Sequence, residues 1–150
     1  MHGDSVLHSY DIHANFATQG PDLDAGLKTA LERYGPAANI EIAVADSTRV
    51  SPPRCDLVFI DGDHTYAGVR GDYNRWRAAV RPGGHLLFHD AVGSGQFVNA
   101  APGVERLVRE IERDDTRTFA RIGTAGTLVH FQRVGVGTPT SVGTGAAEPA

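Results

Sequence analysis

The chain has 150 residues, of which 41% are hydrophobic and 21% charged, and its formal net charge is −4. This composition is typical of a soluble globular domain with one core, and the lack of a basic excess argues against a nucleic-acid surface or an anionic-membrane anchor. The single cysteine excludes an internal disulfide, and no apolar run reaches the roughly 20 residues of a membrane span. The first ten residues do not resemble a signal peptide, so we expect a cytoplasmic location.

The first half of the chain predicts three strands and one helix. The segment "VLHSYDIH" predicts a strand that ends at Asp11, and "NIEIAVADS" predicts a second strand from Ile40 to Ala45. Between them, apolar residues at helical spacing (Leu23, Leu27, Ala30 and Leu31) predict a helix. The third strand, "CDLVFID", has four apolar residues without polar alternation, so we expect both of its faces to be covered.

The second half predicts two helices, a strand and a hairpin. Apolar residues spaced by three and four predict a helix between Thr65 and Val80, and "RPGG" predicts the turn that ends it. "HLLFHD" predicts a short strand, and a helix begins near Pro102 with Val104, Leu107, Val108 and Ile111 on one side. Two strand-like runs around "GTAG" predict a β-hairpin.

Alternating strands and helices followed by a hairpin indicate an α/β fold. We expect a doubly wound, Rossmann-like sheet that is mostly parallel and ends in an antiparallel hairpin. Residues 1–133 would form one domain. Residues 134–150 are Gly, Thr, Pro and Ala with no aromatic residue, which predicts a disordered tail.

Acids and imidazoles follow two of the predicted strands. Asp61, Asp63 and His64 come directly after the third strand, and His89 and Asp90 follow the next one. Neighbouring strands lie about 4.8 Å apart, so carboxylates from both ends can share one hard cation. Mg²⁺ or Mn²⁺ is the expected cation, and His89 as a nitrogen ligand would favour a transition metal.

Each of these residues also has a purely structural interpretation. An aspartate before a helix, such as Asp63, is more often an N-cap, and His64 alone would be a surface histidine. His89 and Asp90 could cap a turn. Asp61 is the strongest functional candidate because an acid that ends an apolar strand is costly without a cation or a donor.

Three segments together resemble a known family. "VADS", "DLVFIDGDHTYAGVRGDYNRW" and "RPGGHLLFHD" are similar to the second half of a class I S-adenosylmethionine-dependent methyltransferase. Within that superfamily they resemble the metal-dependent branch that acts on small molecules, which includes O-methyltransferases of natural-product sugars. The resemblance covers roughly residues 7–133.

The resemblance implies a role for each site residue. Asp11 matches the acid that binds the ribose of S-adenosylmethionine, and Asp46 and Ser47 match the segment beside the adenine. The metal-binding positions match Asp61, His89 and Asp90, with Mg²⁺ or Mn²⁺ as the metal, and the general base matches His64. The acceptor would be a hydroxyl of a small molecule.

The resemblance also predicts a gap. The family begins its sheet with a strand and a glycine-rich loop, but only six residues precede Leu7. The domain therefore resembles an N-terminally truncated methyltransferase, which we expect to bind S-adenosylmethionine weakly or not at all.

Two other classes of function stay open. One is a metal-dependent hydrolase, since Asp and His also bind metals that activate water. The other is non-catalytic: either a degenerate nucleotide-binding domain, or a partner that contributes half a sheet to an oligomer such as a homo-oligomer.

Overall fold

The computed structural model describes residues 5–12, 33, 40–93 and 101–135. The chain divides into two compact units, Met1–Ser51 and Pro52–Ala150. Each unit has a sheet of its own, with two strands in the first and four in the second.

The first unit contains a pair of parallel strands, β1 (Leu7–Asp11) and β2 (Ile40–Val44). Their register runs without interruption from one end to the other, and beyond it the Ala45 N–H donates to the Asp11 carbonyl at 2.8 Å. Both predicted strands are confirmed. The helix predicted between them falls outside the described residues.

The second unit has a four-stranded sheet in the order β3-β4-β6-β5. The pair β3 (Cys55–Ile60) and β4 (Val80–Phe88) is parallel, whereas β5 (Phe119–Ala125) and β6 (Leu128–Arg133) form an antiparallel hairpin whose second strand pairs with β4. The hairpin turns at Gly126, where a φ of 61° suits glycine. The predicted α/β fold with a C-terminal antiparallel hairpin is confirmed.

Two helices cover one face of this sheet. These are α1 (Tyr66–Trp76) and α2 (Pro102–Asp114), and the predicted apolar side of α2 is buried in the core with Phe88, Phe119 and Phe131. Proline in the first turn of α2 has no backbone N–H to leave unpaired. Neither of the two described helices has the length and apolar character needed to cross a membrane.

The opposite face of β3 differs from the prediction. Val58 and Ile60 are each 7% exposed, but Leu57 is 52% and Phe59 47% exposed. Within the part of the chain that the structure describes, the expectation that both faces are covered is therefore wrong for this strand. The apolar run correctly indicated a strand, but side-chain hydrophobicity does not specify whether a second layer packs against it.

The segment "RPGG" also differs from the prediction. It lies inside β4 instead of forming a separate turn after the helix, because Cys55 pairs with Val80 while Leu57 pairs with His85. The residues between these two pairing points form an irregularity in which Gly83 has a φ of 79°. The local turn signal was correct, but the chain stays in the strand on both sides of it.

Candidate functional site

Parallel pairing brings the ends of β3 and β4 to the same edge of the sheet. Ile60 pairs with Phe88, and the next N–H, that of His89, donates to the Ile60 carbonyl at 3.1 Å. Asp61 leaves β3 at this level, and Asp90 follows His89. This edge is where open α/β sheets bind their ligands.

The side chains of Asp61, His64, His89 and Asp90 converge at this edge. His89 Nδ1 lies 3.3 Å from Asp61 Oδ1 and 3.3 Å from Asp90 Oδ2. His64 Nε2 lies 3.5 Å and 3.8 Å from the same two oxygens. One donor atom each from Asp61, His64 and Asp90 falls within 4.8 Å of the others. Four residues singled out from the sequence therefore form one cluster, the strand-end cluster.

His89 Nδ1 has an unusual environment within the strand-end cluster. It is shielded from solvent and forms no hydrogen bond with any described residue, although two carboxylate oxygens lie within ion-pair distance. The nitrogen is close to two carboxylate oxygens, but the geometry is not that of a hydrogen bond. A buried polar atom without a partner is unfavourable. The donor set of one imidazole nitrogen and two carboxylates fits a divalent cation.

Asp90 has a backbone conformation that restricts what can replace it. Its φ is 50°, in the left-handed region, where aspartate and asparagine are tolerated better than most residues. Its carbonyl accepts the N–H of Ala101 at 3.0 Å. The start of α2 thus holds the carboxylate of Asp90 in place through the main chain.

Hydrogen bonds within the loop fix the position of His64. Asp63 accepts from the Thr65 N–H at 2.8 Å and from the Thr65 hydroxyl at 3.0 Å, and these bonds hold the pKa of the Asp63 carboxyl below its usual value. The Thr65 hydroxyl in turn accepts from the Gly68 N–H at 3.1 Å. The N-cap of α1 is therefore Thr65, whereas Asp63, the residue predicted to cap, supports the capping threonine.

Gly103 supports the loop that carries His64, and it was not predicted from the sequence. A Cβ at this position would lie 2.5 Å from the His64 carbonyl oxygen and 2.4 Å from the Tyr66 nitrogen. Only glycine allows α2 to approach the loop that carries His64 so closely. A glycine directly after a helix-initiating proline was the available signal, but it does not reveal which segment comes close.

The residues matched to the cofactor lie in the first unit. Asp11 ends β1 level with Val44, and Asp46 follows β2 at the same edge. Asp46 Oδ1 accepts from the Thr48 hydroxyl at 2.6 Å and from its N–H at 2.9 Å, which lowers the pKa of the Asp46 carboxyl. Asp46 therefore closes a tight turn, and Ser47 lies within it.

A family model described as "Methyltransferase domain" matches residues 1–91. The chain belongs to this methyltransferase family. The match includes both units, from β1 through the strand-end cluster, and confirms the family that the three sequence segments indicated.

Solved structures confirm the fold of the methyltransferase domain. MycE methyltransferase from the mycinamycin biosynthetic pathway, in complex with Mg, SAH and mycinamycin VI, is 15% identical with a TM-score of 0.55, and the match covers 91% of this chain and 48% of that one. A proposed rRNA methylase from Clostridium thermocellum is 11% identical with a TM-score of 0.60, covering 88% and 74% of the two chains. The fold is that of the class I S-adenosylmethionine-dependent methyltransferases.

A viral protein gives a closer match in sequence. The uncharacterized protein R132 of Acanthamoeba polyphaga mimivirus is 34% identical over 61 residues, which is 41% of this chain. The matched region spans 28% of the viral protein. The similarity to this relative is therefore limited to a segment of each chain.

Proposed function

We propose that this methyltransferase domain serves the transfer of a methyl group from S-adenosylmethionine to a hydroxyl of a small molecule, assisted by a divalent cation. The observation that carries the proposal is the strand-end cluster at the ligand-binding edge of a methyltransferase fold. The presence of both Mg and SAH in the MycE complex supports it.

The residues of the strand-end cluster divide into two roles. Asp61, His89 and Asp90 would hold the cation, Mg²⁺ or Mn²⁺. A cation bound there would lower the pKa of an acceptor hydroxyl. His64 has an imidazole that is 41% exposed, so an acceptor can approach its Nε2 from solvent. A hydroxyl is a poor nucleophile while it is protonated, and a base in reach of it removes that obstacle.

The transfer itself needs little else from the protein. The acceptor oxygen forms a bond to the methyl carbon as the carbon–sulfur bond breaks, and the sulfonium leaves as a neutral thioether. The hydroxyl proton passes to His64 Nε2. Because the leaving sulfur is already cationic in S-adenosylmethionine, no acid is required for its departure.

The edge of β1 and β2 would bind the nucleoside part of the cofactor. The carboxylate of Asp11 suits a ribose because it can accept from both hydroxyls of a vicinal diol. Asp46 and Ser47 would lie beside the adenine. The tight turn that Asp46 closes with Thr48 keeps this segment in a defined shape before the cofactor arrives.

Conservative variants at the strand-end cluster test the proposal. Asp61→Asn and Asp90→Asn should abolish Mg²⁺ binding and turnover, whereas His64→Ala should retain the cation and lose about 10² to 10⁴ in methyl-transfer rate. Asp63→Asn is the matched control, because its amide oxygen can still accept from Thr65, and it should behave like the parent. Normal turnover by His64→Ala would refute the assigned base.

Turnover is measured as label transferred from S-[methyl-³H]adenosylmethionine to a panel of phenols and glycosides. The assay uses the full chain. In a parallel assay with phosphate-ester and carboxylic-ester substrates, hydrolysis without any methyl transfer in the first assay would favour the hydrolase. Nucleoside binding without any turnover would favour the non-catalytic domain.

A further inference from the structure

We infer that the strand-end cluster holds a first-row transition-metal dication in preference to Mg²⁺, with His89 Nδ1 as a direct ligand beside the carboxylates of Asp61 and Asp90. This inference rests on the proposed function only in assigning a cation to the cluster. It specifies the class of metal and separates the roles of the two histidines.

The first argument is the state of His89 Nδ1. This nitrogen is hidden from solvent and has no hydrogen-bond partner among the described residues, yet it lies 3.3 Å from each of two carboxylate oxygens. Among the described residues, no side chain or backbone group forms a hydrogen bond with this nitrogen. A cation bound between the three atoms would satisfy the nitrogen lone pair and both carboxylates at once.

The second argument is distance. Two neighbouring ligands on an ion with bonds of about 2.1 Å are separated by about 3.0 Å in octahedral and about 3.4 Å in tetrahedral geometry. Both distances from His89 Nδ1, 3.3 Å to Asp61 Oδ1 and 3.3 Å to Asp90 Oδ2, lie within this interval. His64 Nε2, at 3.5 Å and 3.8 Å, lies outside it.

The third argument is that the imidazole of His89 is already held in place. Its backbone N–H continues the pairing of β3 and β4 by donating to the Ile60 carbonyl, and its ring lies against Phe59 with centroids 6.2 Å apart. A ligand positioned by the sheet loses little freedom when it binds a metal. Asp90 is held in a similar way, through its carbonyl and Ala101.

These features determine the metal class. Mg²⁺ takes oxygen ligands almost exclusively, whereas imidazole nitrogen suits the first-row transition metals. An acid at position 89 would complete an all-oxygen set for Mg²⁺; histidine replaces one oxygen with a nitrogen. His64, whose Nε2 lies farther from both carboxylates, then remains available for the acceptor proton.

The test uses the full chain and Mn²⁺ as the probe. The parent should bind Mn²⁺ at one site, and the electron spin-echo envelope of the bound ion should show modulation from a directly coordinated ¹⁴N. His89→Ala should lose the ¹⁴N modulation and weaken Mn²⁺ binding by roughly 10-fold to 100-fold. His64→Ala should keep both the modulation and the affinity.

Two further variants show whether misfolding or adventitious binding could explain the result. His89→Glu should still bind Mn²⁺ without ¹⁴N modulation, and should reduce the preference for Mn²⁺ over Mg²⁺ by roughly 10-fold or more. His85→Ala removes one member of the only other histidine pair in the described residues, His85 and His130, and should leave the modulation unchanged.

Three outcomes would overturn the inference. They are a parent without ¹⁴N modulation, modulation that survives His89→Ala but disappears in His64→Ala, and modulation that disappears in His85→Ala. The titrations contain neither S-adenosylmethionine nor an acceptor. Intact ¹⁴N modulation without methyl transfer would therefore refute the proposed function and leave the metal assignment standing.

Discussion

His85 and His130 form a contact between two strands of the second unit. His130 Nε2 lies 3.0 Å from His85 Nδ1, so one ring donates a hydrogen bond that the other accepts. Burial, and to a smaller extent the charge on His85 when protonated, lower the pKa of His130 from its usual 6.5. The folded protein therefore favours the neutral form of His130.

This preference predicts a loss of stability at acidic pH. Because the folded pKa of His130 lies below the unfolded one, the unfolded chain binds more protons as the pH falls through 6.5, and the free energy of unfolding decreases. The loss should stop once the pH is below the folded pKa. Thermal melts between about pH 7.5 and pH 5 measure it. His130→Gln should flatten this part of the profile, and an unchanged slope would contradict the assignment.

Replacement of Arg133 should have a large effect on the free energy of unfolding. It is 8% exposed, and its guanidinium donates to the Val80 carbonyl, to the Ala78 carbonyl at 3.2 Å and to the Gly135 carbonyl at 3.2 Å. Arg133→Met would leave the buried Val80 carbonyl without this donor and would also remove the bonds to Ala78 and Gly135, so we expect a loss of about 2 to 4 kcal/mol in the free energy of unfolding.

Urea denaturation measures this loss, with Arg109→Met as the control. Arg109 is exposed and pairs with Glu105 one turn earlier on α2, so its replacement should cost no more than about 0.5 kcal/mol. Equal effects of the two substitutions would show that the buried guanidinium is not needed.

At the scale of elements, we predict that the close packing of Gly103, at the start of α2, controls the position of the loop that carries His64. Helix propensity alone predicts that Gly103→Ala stabilises the protein by up to about 1 kcal/mol. The close approach of Gly103 to the backbone of His64 and Tyr66 predicts the opposite sign, a loss of about 1 to 3 kcal/mol. Gly123→Ala, which meets nothing within 4 Å, is the control for steric cost.

Unfolding experiments give the sign for Gly103→Ala, and the ring resonances of His64 in NMR spectra report whether its loop has moved. We expect a shift for Gly103→Ala and none for Gly123→Ala. A stabilised Gly103→Ala protein with unchanged His64 resonances would mean that the loop yields without cost.

The sequence predicted elements better than their surroundings. Periodicity correctly indicated α2, and the apolar run correctly indicated β3, because these patterns are local. The exposure of Leu57 and the close contact at Gly103 depend on which segments pack together, and no local pattern contains that information. For the same reason the strand ends indicated His89 as a candidate, but not its buried, unpaired nitrogen.

At the scale of the whole chain, the first two residues of the predicted tail, Val134 and Gly135, form hydrogen bonds with the rest of the second unit. The Val134 N–H donates to the Thr118 carbonyl at 2.8 Å, and Gly135 accepts from Arg133. Residues 136–150 lie outside the described residues, so the disordered tail predicted for residues 134–150 stays a prediction there.

Two truncations test what these residues contribute to stability. A chain that ends at Gly135 should melt at the same temperature as the parent. A chain that ends at Arg133 loses two hydrogen bonds and should melt lower by roughly 2 to 6 °C. Differential scanning calorimetry distinguishes the two, and a lower melting temperature for the longer truncation product would show that residues 136–150 contribute to the fold.

The left-handed backbone of Asp90 also bears on how this site can change during evolution. Most side chains would strain the chain at a φ of 50°, but asparagine tolerates it, and a single base change converts an aspartate codon to asparagine. A single conservative step can therefore remove the charge and keep the fold. Natural variants at position 90 should be dominated by Asp, Asn and Gly, and those with Asn would be lineages in which a catalyst has become a binding protein.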